Sequence, residues 1–131
     1  MRARAKLTGA EWEVMEAVWS LGGSPSVREV LDHAYPGGEK AYTTVQTIMN
    51  TLVRKGFLRR RKTGLVYFYT ATRSRDQLAR AETSSLISRI FDGSVPALAN
   101  HLIESGDLSL DEIEAMRKML GRKARDLREK S

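Results

Sequence analysis

From Val45 onward the apolar residues recur as Ile48, Met49, Leu52 and Val53, at i, i+3, i+4, i+7 and i+8, the stripe of a helix docked on a core. The opposite face carries Thr43, Thr44, Gln46, Thr47, Asn50 and Arg54, where a helix built only for solubility would more often show Glu and Lys pairs. Two earlier stripes read the same way. Trp12, Met15 and Trp19 define a helix ending near Leu21 at Gly22 and Gly23, and both tryptophans are expected in the core. Val27, Val30, Leu31 and Ala34 define a shorter one, broken by Pro36, Gly37 and Gly38.

After Gly56 the period changes to two. FLRRRK, a turn at Thr63-Gly64, and LVYFYTAT predict a β-hairpin. Val66, Phe68 and Thr70 fall on one face, with Leu65, Tyr67, Tyr69 and Ala71 on the other. The remainder is helical again: 74 to about 91, 96 to 104, and 109 to about 129. Val95, Leu98, Ala99, Leu102 and Ile103 make one stripe there, and Ile113, Met116, Leu120 and Leu127 approximate an a/d seam interrupted by Lys123.

Four capping boxes mark helix starts: Thr8 with Glu11, Ser26 with Glu29, Ser74 with Gln77, and Ser109 with Glu112. Thr43 and Gln46 have the same spacing, so Gln46 has two readings, a helix cap or a polar group on an exposed face.

The order helix, helix, helix, basic hairpin is that of a winged helix-turn-helix, in which the third helix enters the DNA major groove and the hairpin lies along the backbone. The expected fold is therefore mainly α with a β-hairpin wing: an N-terminal winged helix-turn-helix over 1–72 and a C-terminal helical dimerisation module over 73–131. Hydroxyl and amide side chains can reach base edges, and a threonine methyl can meet the methyl of thymine. Thr43, Thr44, Gln46 and Thr47 are the candidate base readers, with Tyr42, Asn50 and Arg54 nearer the phosphates. Arg59, Arg60, Arg61 and Lys62 are the candidate backbone contacts of the wing, two on each face of its first strand. Arg2, Arg4 and Lys6 would add a basic arm. Charge on an edge strand also protects it from aggregation, which is the alternative account of the arginine run.

Composition sharpens this picture. The 131 residues, 41% hydrophobic, suffice for one core with a helical appendage. The formal charge of +6 is uneven: residues 1–72 hold 11 Lys and Arg against 6 Asp and Glu, and residues 73–131 hold 11 against 10. A basic excess in the first part favours a polyanionic partner there, double-stranded DNA in this reading. The absence of cysteine excludes disulfides, thiolate metal sites and a cysteine nucleophile. His33 and His101 stand alone in different parts, with no nucleophile signature and no phosphate-binding glycine loop, so neither an enzyme nor a metal or cofactor site is expected. No apolar run approaches membrane-spanning length, and MRARAK leads into a polar helix start, so no membrane partner and a cytoplasmic location are expected. A rival reading keeps the fold but uses it for sequence-neutral DNA binding or protein contact.

LTGAEWEVMEAVW, SVREV, AYTTVQTIMNTLVRKGFL and DLSLDEIEAMRKML, in that order and spacing, resemble the penicillinase repressor family (BlaI/MecI/CopY type) of bacterial transcriptional regulators. The resemblance spans nearly the whole chain. It implies a homodimeric repressor on an operator of dyad symmetry, with the reading helix on Tyr42 to Lys55 and Thr43, Thr44 and Gln46 facing bases. It also implies a dimer interface on Leu86, Ile90, Leu98, Leu102, Ile113, Met116 and Leu120. Some members are inactivated by proteolysis at an Asn-Phe bond, and the corresponding segment here is Ala99-Asn100-His101-Leu102, without that pair. Copper-responsive relatives use paired cysteines, which this chain lacks. Neither a sensor protease nor copper therefore carries over from the resemblance, and cleavage by a regulatory protease near Asn100 is kept only as a further hypothesis.

Overall fold

The computed structural model describes residues 6–131, so Arg2 and Arg4 of the expected basic arm lie outside the described residues. In chain order the elements are α1 (Gly9–Leu21), α2 (Val27–Ala34), α3 (Tyr42–Arg54), β1 (Leu58–Thr63), β2 (Val66–Ala71), α4 (Arg75–Phe91), α5 (Val95–Glu104) and α6 (Leu110–Lys130). The architecture is mainly helical with one two-stranded antiparallel hairpin, as the change of period after Gly56 anticipated.

All four capping boxes form. Each hydroxyl accepts from the backbone N–H three residues on, at 3.1 to 3.2 Å, and each Glu or Gln accepts in return from the cap's own N–H at 2.9 to 3.0 Å. These reciprocal bonds occupy amide donors that a helix start otherwise leaves open. At the other end of α1, Gly22 turns the chain at φ 70°, a conformation that L side chains seldom adopt.

The apolar stripes of α1, α2 and α3 meet in one core: Val14, Met15 and Val18 from the first, Val27, Val30 and Leu31 from the second, Val45, Met49 and Leu52 from the third. Phe57, just before β1, closes it together with Leu58 and Tyr69 of the hairpin and Leu78 of α4. Trp12 and Trp19 are placed differently from the expectation. They pack edge to face at 5.5 Å on the core's margin and stay half-buried, because each indole N–H needs an acceptor that the margin supplies: Glu16 for Trp12 and the Arg73 carbonyl for Trp19.

The chain divides into two compact units between Thr83 and Ser84, inside α4. This is later than the expected change at 72/73, since Leu78 of α4 is 1% exposed within the first unit's core. In the second unit, α5 and α6 bury no residue.

Candidate nucleic-acid interface

The site is built on α3, whose two faces have opposite characters. Val45, Met49 and Leu52 are fully buried, while Tyr42, Thr43, Thr44, Thr47 and Arg54 are exposed and Gln46 and Asn50 half-buried. The start of this helix differs from the boxed starts. Its N-cap is Ala41, in extended backbone and with no side chain closing the first amides. Thr43 and Gln46 do not form a box, because Tyr42 and Thr43 are already inside the helix and a capping residue must be extended. Gln46 is thus released from the capping reading. The open amides and the positive end of the helix dipole favour negative charge here.

Lys55, just past the other end of α3, fixes the helix to α1. Its Nζ donates to both carboxylate oxygens of Glu11 at 2.8 and 3.0 Å and to the Lys6 carbonyl at 3.0 Å. Burial pushes the Glu11 carboxyl up, but the hydrogen bonds from Lys55 and Thr8 and the Lys55 charge outweigh it, leaving the group below its ordinary value. Glu11 therefore caps α1 and anchors α3 with one side chain.

The wing pairs Leu58 with Ala71, Arg59 with Thr70, Arg60 with Tyr69, Arg61 with Phe68, Lys62 with Tyr67 and Thr63 with Val66. This register corrects the expected turn. Its centre is Gly64-Leu65, one residue later than Thr63-Gly64, and Leu65 sits in the turn instead of on the Tyr67 face. The reason is steric: Gly64 takes φ 64° while Leu65 does not enter the positive region, the pattern of a type II′ turn with glycine at its first central position.

Alternation then separates the cations. Arg60 and Lys62 share a face with Tyr67 and Tyr69, and both lie over the Tyr67 ring, at 4.2 and 5.6 Å from its centroid. Arg59 and Arg61 occupy the other face with Phe68 and Thr70. Arg60 also donates to the side-chain oxygen of Asn50 at 3.0 Å, and the Tyr69 hydroxyl donates to the same oxygen at 2.9 Å. Burial pushes the Tyr69 phenol up despite the neighbouring Arg60, so it stays a neutral donor. The Asn50 oxygen is therefore engaged inside the protein, clamping the wing to α3.

One participant was not singled out from sequence. Arg28 of α2 lies 5.2 Å over the ring of Tyr42, the first residue of α3. With Ser26, Gln46, Leu65, Val66 and Tyr67 these two residues border a concavity of about 440 Å³ between α3 and the wing. Only the polarity of Arg28 on an amphipathic helix was visible in SVREV, and its place beside α3 is tertiary.

A wider concavity of about 840 Å³ runs along α1 and the end of α2, with Glu13, Glu16, Glu39 and Tyr35 among its lining. Its charge is wrong for a polyanion. Its carboxylates already accept, Glu13 from Tyr35, Glu16 from Trp12 and Arg75, and Glu39 from the Gly37 N–H. Burial and the Glu13 contact push the Tyr35 phenol up to about 12. Among the described residues no group of three or more His, Cys, Asp or Glu could hold a metal ion, and no helix is long and apolar enough to cross a membrane.

An uncharacterised 16.5 kDa protein of Latilactobacillus sakei is 34% identical over 125 residues, 95% of this chain and 85% of that protein. The methicillin resistance regulatory protein MecI of Staphylococcus aureus is 26% identical over 118 residues, 90% of this chain and 95% of that one. The solution structure of the DNA-binding domain of the repressor BlaI covers 57% of this chain and 90% of its own, at 29% identity and a TM-score of 0.49. The penicillinase repressor family model matches residues 7–122, and the chain therefore belongs to the penicillinase repressor family, a family of transcriptional repressors and not of enzymes.

Proposed function

We propose that this protein is a sequence-specific DNA-binding repressor that acts as a homodimer on an operator of dyad symmetry. The observation that carries this reading is the exposed polar face of α3, with Thr43, Thr44 and Thr47 open to solvent, set beside a cationic wing clamped to the same helix. A helix of that surface chemistry can read base edges while the wing neutralises phosphates. In this assignment Thr43, Thr44, Gln46 and Thr47 face bases. Tyr42, Arg54, Arg59, Arg61 and Lys62 lie along the backbone, joined by Arg28, while Arg60 and Asn50 first hold the wing in place.

The homodimer is supported by apolar surface in the second unit. Ile90 is 58% exposed, Leu102 43% and Leu120 69%, and Leu110, Met119 and Leu127 are more than half exposed as well. Leu86, Leu98, Ile113 and Met116 are half-buried. Apolar surface on this scale favours association, and a second copy supplies a matching one. A dimer also doubles the half-sites read, which a lone winged helix needs for genomic specificity. The dimerisation part is assigned to 73–131 and the DNA-binding part to 1–72, with the start of α4 also packing on the DNA-binding core through Leu78. A regulatory protease acting near Asn100 would have to unwind α5, within which that residue is exposed.

The test is selection of random duplexes by the purified protein at near-physiological salt, with Gln46→Ala alongside. A palindromic motif that the substitution alters is the expected result. Recovery of no motif, despite binding that falls steeply with salt, would favour the sequence-neutral alternative.

A further inference from the structure

The near-even charge balance of residues 73–131 conceals a separation. Residues 73–116 hold 4 Lys and Arg against 8 Asp and Glu, whereas residues 117–130, the second part of α6, hold 7 against 2. At about 100° per residue, Arg117, Lys118, Arg122, Arg125 and Arg128 gather on one face, roughly 150° around the helix from the line through Met116, Leu120 and Leu127. All five are exposed, and none forms an ion pair among the described residues. Glu129 is the one carboxylate between them.

A local cause accounts for part of this. Cations near a helix C-terminus complement its dipole, which covers Arg128 and Lys130 in the last turn. Lys118, Arg122 and Arg125 lie further in. They stand at i, i+4 and i+7, so like charges are neighbours, and such pairs weaken a helix. Gly121, on the same face, weakens it again, since glycine is a poor residue for a helix interior. Nothing among the described residues requires that glycine: an added Cβ would meet only Arg125 Nη1, at an ordinary 3.8 Å. Both features become favourable when a polyanion lies against the face, because its phosphates neutralise the like charges and a missing side chain lets a backbone come close.

We propose that this face of α6 is a second, sequence-neutral contact for duplex DNA. The choice of DNA among polyanions rests on the reading of α3 given above: a face tethered to a helix already on DNA meets phosphates at high effective concentration. The chemistry matches. All but Lys118 are arginines, whose planar fork binds phosphate oxygens in pairs. From Arg117 to Arg128 the face extends about 17 Å, over which one strand of a duplex carries about five phosphates. An anionic membrane fits less well, because an interfacial helix needs a free apolar face, and Ile113 and Met116 on the opposite side are half-buried.

The experiment uses the full chain, the operator duplex recovered by selection and a duplex of unrelated sequence. Lys118→Gln, Arg122→Gln and Arg125→Gln are combined, since glutamine keeps helix propensity while removing charge. The slope of log affinity against log salt should fall by about 2.7 for each chain bound, on both duplexes alike, so that the advantage of wild type shrinks roughly fortyfold between about 50 and 200 mM salt. The selected motif, the helical signal and the sedimentation should be unchanged. Arg122→Lys with Arg125→Lys should keep the wild-type slope, because both charges remain. A preserved motif with an unchanged slope would overturn the second contact and leave the repressor reading intact. Weaker binding of the triple variant to phosphatidylserine vesicles or single-stranded RNA, with the duplex slope unchanged, would give the face to another partner and overturn the proposal. A shift of the variant to monomer on sedimentation would make the face a contact between copies and overturn it as well. A wild-type chain that selects no motif, yet loses slope in the triple variant, would remove base reading by α3 and uphold the contact of α6.

Discussion

The side-chain oxygen of Asn50 accepts a hydrogen bond from Arg60, 3.0 Å away on the first strand of the wing. The same oxygen accepts from Tyr69 on the second strand, so one atom of α3 holds both strands of the hairpin. Asn50→Leu would leave the Tyr69 hydroxyl, on a residue 1% exposed, without its acceptor. We expect about 1 to 3 kcal/mol of lost stability in urea denaturation, together with weaker binding to every duplex as the wing loses its alignment. Unchanged stability with weaker DNA binding would instead assign Asn50 directly to the phosphates.

The anchor between Lys55 and Glu11 makes a separate prediction about pH. The Glu11 carboxyl titrates below its ordinary value of 4.5 in the folded chain, so its contribution to stability is present above that value and lost as pH falls through the folded one. Wild type should lose stability from about pH 5 down to pH 3 more steeply than Glu11→Gln, and the two curves should converge at the acid end. At neutral pH Glu11→Ala, which removes a cap and a charged partner together, should cost about 2 to 3 kcal/mol. Parallel pH curves for wild type and Glu11→Gln would show that the pair contributes nothing.

Base readers and phosphate contacts should separate in binding experiments. Thr44→Ala should change the preferred sequence at one position of each half-site, by about 1 kcal/mol of discrimination. Arg61→Ala should weaken all duplexes alike and reduce the slope of log affinity against log salt by about 0.9. Arg60→Ala should do both less cleanly, since that guanidinium is also bound to Asn50 and stacked on Tyr67. A Thr44→Ala protein with wild-type preference would refute its assignment.

The exposed seam of α6 carries the dimer prediction. Leu120 is 69% exposed in the isolated chain, so Leu120→Glu should leave the helical signal intact while shifting sedimentation to the monomer. Operator affinity should then fall at least about tenfold, because two half-sites are no longer held together. A wild-type chain that sediments as a monomer at micromolar concentration would dispose of the homodimer.

Much of this architecture was legible along the chain because its causes are local. A capping box involves residues three apart, a helical stripe residues three and four apart, and a strand alternates every second residue, so each can be recognised before any folding is considered. All four boxes, the three-helix order and the hairpin followed from such patterns. The turn was misplaced by one residue because Thr63-Gly64 and Gly64-Leu65 are both acceptable pairs until the register decides which position takes positive φ. The Thr43 and Gln46 spacing failed as a box for a related reason: the chain entering from Lys40 is already helical by Tyr42.

The division of labour among the cations belongs to another class. The run from Arg59 to Lys62 looks uniform in sequence, and period-two alternation splits it into pairs, but nothing local says which pair faces α3. Asn50 and Arg60 are ten residues apart and meet only when the hairpin folds back on the helix, and Arg28 comes to Tyr42 only when α2 packs beside α3. Short-range patterns thus determined the elements and the polar face of α3. Long-range packing decided which charges are held inside the protein and which remain free for a partner, because a side chain's commitments depend on neighbours brought to it by the core.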